Sequence, residues 1–461
     1  HTNEAAQAAQ AKFLSLTHKF GCPKVLFTVC FDDSLDLRIL TLSGKEDAMD
    51  WIASLDELSA SEKAAKMDKL NALRYKYPGL CAFNFEELLD VVLEKIVGDN
   101  NLNEGIFGRL AAYGLAVEEQ GRKTLHAHIL VYTHEWNETL RALQSRDEQT
   151  RKEAEMSIID FVERVMSTEL VPNSPPVVQC PSCKEGDANV VDAQTLRHLR
   201  HKVGSQHEQG ILATCKVCET HFHGDELAMK RALPESIWDL PEHEQKAHVA
   251  AEVLKRTVPG GPEQPSDITV GLNNYKYNHH LACHTKTCFK KGEEGRCFLP
   301  DMEEPKTRVI YGEDEQETFN WNGSIRHIRN VTVRPKRKQQ DAYTNTHCKI
   351  ISASKAPANS NVAITTGARA AIYTTCYTAK GTQKEDTQEL KKTASYVGHR
   401  FMEQRNENTL FEGLSRLMGA VIVNTTEHVV SAPMASYLVR NGSRFKCSEN
   451  FKYLPVREVI D

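Results

Sequence analysis

Residues 105–132 read GIFGRLAAYGLAVEEQGRKTLHAHILVY, and this stretch decides the fold. Two largely apolar runs, 109–120 and 125–132, flank a polar GRK turn, which is the pattern of an antiparallel hairpin. Side chains two apart on a strand point to the same face. His126 and His128 therefore lie side by side, while Ala127, Ile129 and Val131 take the other face. Paired strand histidines are commonly no more than half-solvated polar residues. Here, however, the hairpin returns an acid beside them. Glu118 stands eight residues before His126 across the turn, Gln120 shares its face, and Glu119 points away. Two neutral imidazoles with one hard oxygen donor leave coordination positions open for a substrate phosphate and suit Mg2+ or Mn2+. Glu118 is the favoured third ligand, with Gln120 next.

The chain around this hairpin has 461 residues, enough for two or three domains. It is 40% hydrophobic and 26% charged, the balance of an ordinary globular protein. No apolar run reaches the roughly 18 residues of a membrane-spanning helix. The first residue is His1 and no signal segment follows, so a cut-out of something longer is expected. A net charge of −5 argues against a uniformly basic coat for nucleic acid, although local binding depends on distribution. One basic run exists, RHIRNVTVRPKRK at 326–338, with Arg326, Arg329, Arg334, Lys336, Arg337 and Lys338. It is either a solvated loop or a track for a nucleic-acid backbone.

Seven of the 13 cysteines fall between Cys180 and Cys297. Cys180 with Cys183 and Cys215 with Cys218 form two CxxC knuckles, a closed four-thiolate set suited to structural zinc. His221 and His223 could replace one thiolate but read better as surface residues. A second cluster, Cys283, Cys288 and Cys297 with His280 or His284, could complete another zinc site; the bland alternative is free cysteines in a packed loop. This usage implies reduced thiols and an intracellular protein.

KVLFTVCF at 24–31 reads as a first strand, and FEELLDVVLEKIV at 85–97 as helix. PNSPPVV at 172–178 breaks a charged helical region and marks a boundary. Three parts follow: 1–170 with the metal-binding strands, 171–300 with the zinc ligands, and 301–461 with further strands and helices. In the last part AIYTTCYTAK, 371–380, reads as a helix. Tyr373 and Tyr377 are four apart and share a face, with Lys380 about one turn further. Two helix tyrosines usually just pack. A tyrosine hydroxyl is also a nucleophile, and attack on a phosphodiester needs a cation to stabilise the developing charge.

A His-hydrophobic-His strand plus a helical Tyr-x-x-x-Tyr resembles the two-tyrosine HUH endonucleases. The chain resembles more closely the Rep region of Helitron and helentron transposases. FGRLAAYGLAVEEQGRKTLHAHILVY is similar to that family's strands around the motif, and CHTKTCFKKGEEGRCFLP resembles its cysteine-rich block. AIYTTCYTAK matches its tyrosine helix, and VVSAPMASYLV with FKYLPV resembles its C-terminal block. Two departures stand out: Leu125 where the family often has proline, and no G-x-x-x-x-G-K-[ST] phosphate loop of its helicase. The resemblance implies an α+β fold, a central antiparallel sheet with helices on one face, interrupted by a zinc-binding insertion. It implies nicking and strand transfer of single-stranded DNA at transposon ends through a 5′-phosphotyrosine link. Tyr373 and Tyr377 would be the nucleophiles, with Lys380 stabilising charge. It also implies a helicase domain in the full-length protein and a nuclear location. Two rivals remain: a non-catalytic zinc-dependent nucleic-acid-binding relative, and a metallohydrolase that activates water.

Overall fold

The computed structural model describes residues 3–99, 103–119, 124–173, 197–203, 206–214, 221–223, 240–257, 265–279, 283–284, 304–319, 325–338, 341, 344–356, 358–367, 374–375, 378 and 431–449. Its centre is a five-stranded antiparallel sheet. The strands are β1 (Val25–Phe31), β2 (Leu110–Glu119), β3 (Leu125–Thr133), β4 (Ala358–Ile364) and β5 (Phe445–Cys447), in the order β4-β1-β3-β2-β5. β2 and β3 are the hairpin read from the sequence. β4 and β5 come from far along the chain: Thr28 pairs with Asn361, and Phe445 with Ala116. The sheet is therefore complete only when distant parts of the chain meet.

Alternation along β1 sends Val25, Phe27, Val29 and Phe31 to one face, with Ala127, Ile129 and Val131 beside them. Helices α2 (Pro78–Val91), α3 (Glu148–Val165) and α4 (Ala432–Asn441) cover this face. Aromatic rings link the layers, Phe31 to Phe85 at 5.9 Å and Phe85 to Tyr437 at 6.0 Å between centroids. The helix starts follow local chemistry. Asp147 accepts from the Thr150 N–H ahead of α3, and Ser431 accepts from the Met434 N–H ahead of α4.

The sequence predicts helices on one face only, but the structure covers both. α1 (Asn3–Phe20) packs Phe13 and Leu16 against Leu130 and Tyr132, on the face that carries the histidines. Every residue of β3 is buried as a result. The reason is in the strand itself. Beyond His128 the histidine face turns apolar at Leu130 and Tyr132, and that surface needs a cover of its own.

In the middle segment Gln206–Thr214 pairs with Arg197–Val203, with His221–His223 and with Cys283–His284. Cys180, Cys183, Cys215, Cys218, His280, Cys288 and Cys297 lie outside the described residues, and of Cys283 only the backbone is described. Arg308–Phe319 and Ile325–Arg334 form a two-stranded ribbon, tied to α3 by the Tyr311 hydroxyl donating to Glu155 at 2.8 Å. Among the described residues no helix is long and apolar enough to cross a membrane.

Candidate metal centre

The hairpin register sets Glu118 directly opposite His126, and His128 opposite Thr28 on the other side of β3. Glu118, His126 and His128 thus share one sheet face, and each is only 5–6% exposed. Their side chains converge. Nε2 of His126 lies 3.1 Å from Nε2 of His128, and a Glu118 carboxylate oxygen lies 3.8 and 3.6 Å from the two nitrogens. The imidazoles stand edge to face, with ring centroids 4.7 Å apart and planes at 86°.

These separations fit a shared cation. Bonds of about 2.1 Å at right angles hold two ligand atoms about 3.0 Å apart, close to the spacing of the two nitrogens. The two carboxylate distances are slightly longer. Two imidazole nitrogens this close cannot both carry a proton without repulsion, whereas two lone pairs facing one cation are favourable. Thr28 is compatible with that state. Its hydroxyl lies 2.8 Å from Nδ1 of His128. In the Nδ1–H tautomer the ring donates to the threonine oxygen, and its Nε2 lone pair is free for a cation. Among the described residues this is the group of His, Cys, Asp and Glu side chains able to hold a metal ion.

A further charged residue stands beside the ligands, one that no sequence motif announces. The Val117 N–H donates to the Arg444 carbonyl at 2.8 Å, which fixes Arg444 next to the Glu118 backbone. Its guanidinium lies 4.6 Å from the centre of the Phe445 ring, and that ring packs on the histidine side of the sheet. Burial lowers the Arg444 pKa, and the Glu118 carboxylate opposes that shift. Only cross-strand register brings these two residues together. The sequence itself displays no more than the run RNGSRF at 440–445.

The other expected site residues are distributed as follows. Gln120, Tyr373, Tyr377 and Lys380 lie outside the described residues. Their described neighbours Thr374, Thr375 and Thr378 are helical and buried. The Thr375 hydroxyl lies 3.5 Å from that of Thr17, which in turn lies 2.9 Å from the Tyr132 hydroxyl. Tyr132 is on the metal-side face, four residues or about 13 Å along β3 from His128. Its phenol is buried, which raises its pKa.

The basic run divides. Lys336 and Arg334 are exposed, while Lys338 pairs with Glu169 at 2.9 Å. Arg326 and Arg329 lie on the ribbon strand. Arg337, expected to meet DNA, is instead buried. Its guanidinium donates to the carbonyls of Asp341 and Thr344 at 2.9 and 2.6 Å. A charge run in a sequence does not reveal which member is used to close a loop.

The fold and the site define an α+β protein with a buried Glu-His-His group on a central antiparallel sheet. Residues 1–131 match the family described as the Helitron helicase-like domain at the N-terminus, consistent with a Helitron-type transposase region. The match ends inside β3 and takes in Glu118, His126 and His128. No curated protein and no solved structure matches the chain.

Proposed function

We propose that this chain is a metal-dependent enzyme that nicks and transfers single-stranded DNA in rolling-circle transposition of the Helitron type. The observation that carries the reading is the convergence of Glu118, His126 and His128 within the region that matches the Helitron family. Those three residues would hold Mg2+ or Mn2+, which when bound polarises the scissile phosphate. In the covalent step a phenol oxygen of Tyr373 or Tyr377 attacks phosphorus. The tyrosine O–P bond forms as the P–O3′ bond breaks, and the proton lost from the phenol is balanced by one gained at the departing 3′-oxygen. The products are a 5′-phosphotyrosine link and a free 3′-hydroxyl, with no change in oxidation state. Attack by the 3′-hydroxyl of another strand reverses the chemistry and completes transfer. Lys380 would stabilise charge nearby, and Arg326, Arg329, Arg334, Lys336 and Lys338 would follow the DNA backbone.

In this reading the sheet is that of an HUH endonuclease, the segment 171–300 is an insertion held by structural zinc, and the protein works in the nucleus beside a helicase domain. Incubation with labelled single-stranded DNA, with and without Mn2+, tests it. A covalent adduct is expected only with the metal. Replacing both His126 and His128 by alanine should abolish the adduct while the far-ultraviolet spectrum is retained. Metal-dependent cutting without an adduct would instead indicate a hydrolase, and binding alone a non-catalytic module.

A further inference from the structure

Arg444, from the opposite end of the chain, lies against the strand that carries Glu118. Two contacts place it there: the Val117 N–H bond to its carbonyl, and its guanidinium 4.6 Å from the centre of the Phe445 ring on the histidine face. Phe445 pairs with Ala116 and packs edge-on against Phe13 of α1, so this corner is held from two sides. Arg444 is half-buried, where charges are screened less than in open water.

We propose that Arg444 is a catalytic residue that binds the scissile phosphate and stabilises the charge it gains during attack; this rests on the nuclease reading above. One carboxylate offsets half the charge of a divalent cation held by Glu118, His126 and His128. A phosphodiester brings one negative charge, and a second builds up in the pentacovalent transition state as the phenol gives up its proton before the departing 3′-oxygen gains one. Arg444 supplies a positive charge to meet it, in a planar fork suited to phosphate oxygens. Removing one preorganised donor of this kind costs on the order of a hundredfold to a thousandfold in rate.

The test compares the unsubstituted protein with Arg444→Gln and Arg444→Lys on two oligonucleotides. One carries an ordinary scissile phosphodiester, the other an uncharged methylphosphonate at that position. Mn2+ affinity is measured by calorimetry in parallel. Arg444→Gln should slow adduct formation on the phosphodiester about a hundredfold. On the methylphosphonate the two proteins should react at similar rates, and Mn2+ affinity should change little. Arg444→Lys should recover part of the loss. An equal loss on both substrates, a parallel loss of Mn2+ affinity, or no loss at all would overturn the role of Arg444 alone. No adduct from the unsubstituted protein would overturn the nuclease reading and this proposal with it.

Discussion

Thr28 stands behind one imidazole of the candidate metal group, its hydroxyl 2.8 Å from Nδ1 of His128. It holds Nδ1 of His128, so Thr28→Val should weaken Mn2+ binding about tenfold to a hundredfold while the fold is kept. Calorimetric titration checks this. Asp341 makes a second prediction at the same scale. Its Oδ1 accepts from the Leu170 N–H at 3.0 Å, and burial pushes its carboxyl up to about 7. An unfolded aspartate titrates near about 3.9. Between these values the folded protein keeps a proton that the unfolded chain has lost, so stability falls as pH rises through this window. Asp33, pushed up to about 6 by burial, acts in the same direction. His347 opposes both: burial lowers it to about 4, so stability is lost as pH falls from about 6.5 toward that value. Asp341→Asn keeps the acceptor and removes the ionisation. It should raise the unfolding free energy at pH 8 by a few kcal/mol, on the order of magnitude set by the shift, and change it little at pH 4. Urea melts at the two pH values measure the difference.

At the scale of elements, the hairpin is legible because period-two alternation and a polar turn are local signals. Glu118 follows from the same alternation, since a hairpin dictates which positions return to one face. The cover over the histidine face is not legible, although Leu130 and Tyr132 call for one, because what fills an apolar face is decided by tertiary contact. α1 supplies that cover through Phe13, which is fully buried. Phe13→Ala should therefore cost about 3–5 kcal/mol by urea denaturation. The tyrosine segment carries its own prediction. On the helix that the sequence predicts, a four-residue step would set Tyr373 and Tyr377 at different places, with only one hydroxyl at a time able to reach the in-line position. Tyr373→Phe and Tyr377→Phe should reduce adduct formation unequally, with Tyr377→Phe the more severe.

For the molecule as a whole, the sheet joins residues separated by most of the chain, and this is what sequence reading reaches least well. β5 is three residues long and bears no pattern of its own, so Arg444 cannot be placed beside Glu118 without the register. Arg337 escapes the sequence for a related reason: composition marks a basic run but not the loop that one of its members closes. The cysteine knuckles are a local signal, and zinc analysis of protein purified without added metal should find one to two equivalents. The most direct measurement of the central claim is mass-spectrometric peptide mapping of the adduct formed with single-stranded DNA and Mn2+. The expected product is a 5′-phosphate joined to Tyr373 or Tyr377, lost when both are phenylalanine. Attachment at a residue outside 371–380, or an undiminished adduct from the double variant, would contradict it.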